Sequence, residues 1–198
     1  MCDMSHVPEA STKSYAAIGL ASVLVFAACC LIAIPFDGDW AIDRDMMCEL
    51  GVSDSLSSCF LFFFGCVFGG SGVALYGYLM YTTAELTWPK VIYITTTITG
   101  LALVCIGLFD MESSIHEVFT TTLAISSGTC LVASMIDDIL RRRPWPCVLT
   151  AIVCASVVYM FFFQPNYVQP LTISLMVIWL STRSIFIMTS VVKDDGSI

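Results

Sequence analysis

Apolar runs of about twenty residues alternate with short polar breaks along the chain, and the pattern repeats six times. The runs cover about 15–36, 56–81, 91–109, 115–136, 147–163 and 171–192. Each is close to the ~20 residues that a helix needs to cross the hydrocarbon core of a bilayer. The breaks carry turn chemistry: Asp37-Gly38-Asp39 after Pro35, Trp88-Pro89-Lys90, Pro144-Trp145-Pro146 and Gln164-Pro165-Asn166-Tyr167. In lipid every backbone polar group must be satisfied within its own segment, so the runs are expected as helices. The expected fold is all-α: a polytopic transmembrane bundle of six helices over 15–192, with polar tails at 1–14 and 193–198.

Two helix starts are marked. Asp54 stands where it would cap the second helix. Ser114-Ile115-His116-Glu117 fits a capping box, with Ser114 as N-cap and Glu117 as its reciprocal partner. An acid at that place also suits the positive end of the helix dipole.

Composition supports the membrane assignment. Of 198 residues 58% are hydrophobic, only 12% are charged, and the mean hydropathy is +0.87. The charged fraction is about half that of a soluble domain. The first fourteen residues lack the cationic start and small-residue cleavage site of a secretory signal, so the first run is expected to be a retained helix.

Charge then orients the bundle. Lys13, Lys90, Arg141, Arg142, Arg143 and Lys193 fall on the side that holds both termini, whereas Arg44 alone falls on the other and Arg183 lies within a run. Such asymmetry places the termini in the cytoplasm. The opposite face carries Asp37, Asp39, Asp43, Asp45, Glu49, Asp54, Asp110, Glu112 and Glu117. A formal net charge of −8 argues against nucleic acid as a partner. The host membrane, plasma membrane or endomembrane, is left open.

Most of the ten cysteines lie in apolar runs, where cysteine behaves as a small hydrophobe. Cys48 and Cys59 flank the first outer loop, and a disulfide between them is open if that compartment is oxidising. Gly65, Gly69, Gly70 and Gly72 let helix backbones approach closely in lipid, either within this bundle or at an interface with a second copy.

Two stretches resemble the DRAM/Sfk/Frag superfamily of six-helix membrane proteins, which includes prokaryotic relatives known only as a domain of unknown function. One is Cys48-Glu49-Leu50-Gly51 followed by Cys59-Phe60-Leu61-Phe62 and the glycine-rich helix to Gly77. The other is Gly107-Leu108-Phe109-Asp110 with His116 soon after. The stretch from Gln169 to Trp179 echoes the same pattern, although Pro170 stands where relatives often have a basic residue. The resemblance spans essentially the whole chain and implies a fold more firmly than a reaction. Eukaryotic members are linked to autophagy, to phosphoinositide-related signalling and to remodelling of lipid-anchored proteins.

Three groups of residues carry candidate chemistry. Asp110, Glu112, His116 and Glu117 form an outer polar cluster that could hold a cation, or in which His116 could move protons near neutral pH; capping and interfacial hydrogen bonding explain the same residues without either. Arg183, about midway along the last run, is costly in hydrocarbon. Its expected partners are helix-end carbonyls, Asp137 or Asp138, or a lipid phosphate; an earlier helix end would instead let it snorkel to the interface. Arg141, Arg142 and Arg143 would attract anionic headgroups, beyond their role in setting topology.

The chain has no GxSxG, HExxH, P-loop or Rossmann glycine pattern, and its histidines are only His6 and His116. No cofactor is called for, and bound lipid is the one small molecule expected. The leading expectation is a non-enzymatic membrane protein acting through lipids, a membrane-protein partner or a second copy, as scaffold, regulator or accessory subunit. The alternative is a lipid-modifying enzyme or small-solute transporter built on the His116 cluster and Arg183.

Overall fold

A computed structural model of the chain describes residues 9–109, 111, 113–163 and 168–190. Among these residues the chain forms six helices: α1 Glu9–Asp37, α2 Leu56–Thr83, α3 Thr87–Leu108, α4 Ser114–Leu140, α5 Pro144–Phe163 and α6 Val168–Ser190. No strand occurs among the described residues. Five of the six are long and apolar enough to cross a membrane, and the apolar stretch of α5, Pro144–Tyr159, is shorter.

The ends differ from the sequence expectation in instructive ways. The first helix begins at Glu9, so part of the expected polar tail is helical. It ends where Gly38 takes the left-handed conformation (φ 80°) and its amide reaches back to the Ile34 carbonyl at 3.4 Å. The cap of α2 is Ser55, whose side chain accepts from the Ser58 amide, and not Asp54. The cap of α4 is Ser113, whose Oγ accepts from the Ile115 amide at 3.2 Å, so Ser114 is not the N-cap and the box expected of Ser114 with Glu117 is not the one that starts the helix.

Most consequential is the other end of α4. The helix continues past the apolar run to Leu140, which places Asp137 and Asp138 inside it. It stops in a Schellman turn. Arg142 adopts φ 53°, its amide bonds the Ile139 carbonyl, and the Arg143 amide bonds the Asp138 carbonyl at 2.9 Å.

The helices pack as a closed ring in chain order, α6 returning to α1. Below, the inner end is the one that holds the start of α1 and the 141–143 turn. Around that half all six helices contribute to one cluster, with Val23, Tyr76, Met80, Ile92, Leu131, Val153 and Trp179 among its members. The outer half is filled by Phe26, Ala33, Phe62, Cys66 and Ile106, and is closed by a short 3-10 helix, Met47–Gly51, whose Leu50 is fully buried. Among the described residues α5 adds nothing to this outer cluster. An apolar crevice of about 500 Å³ therefore runs between α5 and α6, lined by Ala155, Ser156, Tyr159, Leu171 and Leu175.

Lipid provides no hydrophobic drive between helices, so close backbone approach has to supply the packing. Within α2 a π turn at Gly65–Gly69 lets the glycines face two neighbours. A Cβ on Gly65 would lie 2.8 Å from Cys29 Cβ, one on Gly69 would lie 2.7 Å from Phe26 Cβ, and one on Gly72 would overlap Ser22. Gly70 instead faces α3, where a Cβ would lie 2.8 Å from the Gly100 carbonyl oxygen.

Candidate functional site

The most polar part of the interior lies near the inner end. On α4 the buried face carries Ser126, Cys130, Ser134 and Asp138 at four-residue spacing, which stacks them on one side of the helix. Thr99 Oγ1 meets Ser126 Oγ at 2.7 Å, and Thr96 Oγ1 meets Cys130 Sγ at 3.4 Å, so α3 supplies partners for the upper two.

At the bottom of the stripe Arg183 donates from Nη1 to Asp138 Oδ2 at 2.5 Å. The carboxylate side chain is fully buried and the guanidinium side chain 13% exposed. The guanidinium also lies 5.8 Å from the centre of the Trp179 ring, within the range of a cation–π contact. Trp179 in turn donates from its indole to Thr150 Oγ1 at 3.0 Å, and Thr150 donates to the Pro146 carbonyl at 2.9 Å. Arg183 is thus held from α4 on one side and, through Trp179, tied to α5 on the other.

Two bases near this pair are also engaged. Arg141 donates from Nε to Asp137 Oδ1 at 2.9 Å, one turn back on the same helix. Arg143 lies 5.9 Å from the centre of the Phe186 ring. Arg142 is exposed at the chain reversal, where it takes φ 53°. Trp145, 82% exposed, follows at the same level, as an interfacial aromatic would.

The outer cluster is less gathered. Asp110 and Glu112 lie outside the described residues. His116 is buried, and its Nδ1 meets the Phe109 carbonyl at 3.0 Å; a carbonyl only accepts, so Nδ1 carries the proton. This bond and the Phe109–Phe119 stack, with centroids 5.7 Å apart, close the turn between α3 and α4. Glu117 is exposed. Among the described residues no three His, Cys, Asp or Glu side chains gather as a metal site. His116 does line a pocket of about 580 Å³, shared with Cys48, Cys59, Phe60, Phe63, Leu108 and Met111.

The two thiols considered as a pair are free, each with its own partner. Cys48 Sγ accepts from Gln169 Nε2 at 3.6 Å, and Cys59 Sγ donates to the Ser53 carbonyl at 3.0 Å. Burial pushes the Cys48 thiol above its ordinary pKa. Gln169 is a residue whose role the sequence does not signal. Its Oε1 accepts from the Met47 amide at 2.9 Å, so the start of α6 is pinned to the outer 3-10 helix across 122 residues. No family model, curated protein or solved structure matches the chain.

Proposed function

We propose that this multi-pass membrane protein acts without catalysis, through contacts with lipids or a membrane-protein partner, with both termini in the cytoplasm. Kinship with the DRAM/Sfk/Frag superfamily belongs to the same proposal and rests on the motifs at 48–51 and 107–110. The carrying observation is the fate of Arg183. The cation within the last helix is engaged inside the bundle, by the Asp138 carboxylate and the Trp179 ring. Support for lipid contact comes from the apolar crevice between α5 and α6 and from large exposed side chains such as Leu31, Phe68, Ile125 and Phe162.

An enzymatic or transport role is favoured by one feature, the pocket beside His116. Purification in mild detergent followed by native mass spectrometry separates the two. The proposal expects retained lipid or a stoichiometric protein partner. Turnover or uptake of any solute or lipid that His116→Ala abolishes, in a variant of unchanged melting temperature, would overturn it.

A further inference from the structure

The pocket beside His116 is bounded by three pieces of chain: the 3-10 helix with the residues after it, the first two turns of α2, and the turn from α3 into α4. Its volume of about 580 Å³ is in the range of small-molecule sites. The rim is apolar and open: Leu56, 84% exposed, Phe60, 61%, and Leu108, 56%, all line it. These side chains stand on two helices long and apolar enough to span a membrane, at their outer ends. Exposed apolar side chains in that position face lipid, so the pocket opens sideways into the bilayer.

Inside, the polar groups are few and of opposite kinds. His116 is buried and gives its Nδ1 proton to the Phe109 carbonyl, so the neutral ring has only the Nε2 lone pair, an acceptor, to offer the pocket. Ser53 Oγ accepts from the Ser55 amide at 3.1 Å, and its own proton is the group it can give to a ligand. The thiols that also line the pocket are engaged elsewhere, Cys59 with the Ser53 carbonyl and Cys48 with Gln169.

Charge narrows the ligand. Among the described residues the lining has no Asp, Glu, Lys or Arg, so neither an anionic nor a cationic head is neutralised there. Arg44, the base of the outer loop, is held by Asp45 and the Asp39 carbonyl. Glu49 and Asp54, each next in sequence to a lining residue, would repel a phosphate. An uncharged lipid that pairs a hydroxyl donor with a carbonyl acceptor suits the two polar groups and the apolar rim together. A free hydroxyl beside acyl esters is the arrangement of a diacylglycerol.

We infer that this pocket binds a diacylglycerol-type lipid. Its free hydroxyl donates to His116 Nε2, an ester carbonyl accepts from Ser53, and the acyl chains leave past Leu56, Phe60 and Leu108. The inference rests on the lipid-contact part of the proposed function and names the lipid.

The test uses the full chain in phosphatidylcholine vesicles containing a trace of diacylglycerol with a diazirine near the carboxyl end of one chain. Photolabelling should concentrate at 52–63 and 106–111, about fivefold above the exposed Phe162 and Phe163 at the outer end of α5. Excess plain diacylglycerol should remove that signal, and its 3-O-methyl ether, which cannot donate, should compete about fivefold more weakly, the worth of one hydrogen bond. His116→Asn keeps a donor for the Phe109 carbonyl and removes Nε2, so labelling should fall by a similar factor at unchanged melting temperature. If that variant melts lower, the comparison of alcohol with ether on the wild-type protein decides. Equal competition by the two, or labelling spread evenly over exposed apolar faces, would overturn the inference and leave lipid contact standing. Conversion of the labelled lipid to another species would instead overturn the non-catalytic reading and leave the site in place.

Discussion

Arg183 and Asp138 are joined across the ring, from α6 to α4, two helices that are not neighbours in it. The pair is therefore a crosslink through the interior and not a seam between adjacent surfaces. Removing one partner leaves the other charged and buried, which ordinarily costs about 3–5 kcal/mol. Arg183→Met should lower the thermal midpoint in detergent sharply. Arg183→Met with Asp138→Leu should recover most of the loss, because no charge is then left unpaired. A double variant as unstable as the single one would show that the pair is not what holds these helices.

Gly100 and Gly70 set the approach of α2 to α3. A Cβ on Gly100 would lie 2.6 Å from the Gly70 carbonyl oxygen and would overlap the Ala74 amide nitrogen. Both are backbone atoms and cannot turn aside. Gly100→Ala is expected to destabilise by about 1–3 kcal/mol through forced separation of the helices. Gly128 is the control, since a Cβ there meets nothing within 4 Å. Gly128→Ala should leave the midpoint unchanged or raise it, as alanine is favoured over glycine in a helix by about 1 kcal/mol.

These sites show what the chain discloses before it is folded. The number and type of helices are legible because a run of about twenty apolar residues between turn residues has few other solutions. Helix ends are less so. Ser53-Asp54-Ser55 and Ser113-Ser114 each offer several capping side chains, and only the backbone angles choose Ser55 and Ser113. The end of α4 misleads for a different reason. Its apolar run stops near Ile136, so Asp138 reads as an end-of-helix acid, while the helix goes on and buries it. Asp138 does appear among the partners expected for Arg183; its full burial does not. The Gln169 link to Met47 has no local signal at all, because it joins residues 122 positions apart.

Arg142 ends α4 in a conformation that L-residues adopt at a cost of about 1–2 kcal/mol. Glycine carries no such cost, and the hydrogen bonds of the turn use only the backbone. Arg142→Gly should raise the thermal midpoint modestly, equivalent to no more than about 1 kcal/mol once the freer unfolded chain is counted. Arg142→Val should lower it. If both variants lose stability equally, the side chain of Arg142 contributes through a contact and the turn is not strained.

Cys48 and Cys59 should both alkylate after denaturation without reductant, giving the mass of free thiols. In the folded protein the rates should differ. Cys59 is half-buried, whereas Cys48 is buried with its thiol shifted upward by loss of solvation, so little thiolate forms near pH 8. Gln169→Ala removes the donor to Cys48 and the acceptor for the Met47 amide together. It should speed Cys48 labelling by loosening the 3-10 helix, with little change at Cys59. A disulfide-linked peptide from the oxidised, folded protein would contradict the free-thiol arrangement.

The outer loop carries one acid-sensitive contact. Arg44 donates to both Asp45 oxygens, at 2.7 and 2.8 Å, and the Ala41 amide donates to Asp45 Oδ2 at 2.7 Å. The hydrogen bond from Arg44, then that from Ala41, holds the Asp45 carboxyl below its ordinary pKa. Because the folded value is the lower one, the contribution is present above the unfolded value, about pH 4, and is lost as the pH falls through the folded value. The Arg44 partner is 64% exposed, so the effect is small and screened by salt. The test is the difference in hydrogen-exchange protection between wild type and Asp45→Asn across 39–46. Protection should favour wild type at pH 6 and converge with the variant as the pH falls through the lowered folded value. A difference that persists at the acid end would mean that the loop is ordered by something other than the ionised Asp45, such as the bond from the Trp40 indole to the Met46 carbonyl at 3.0 Å.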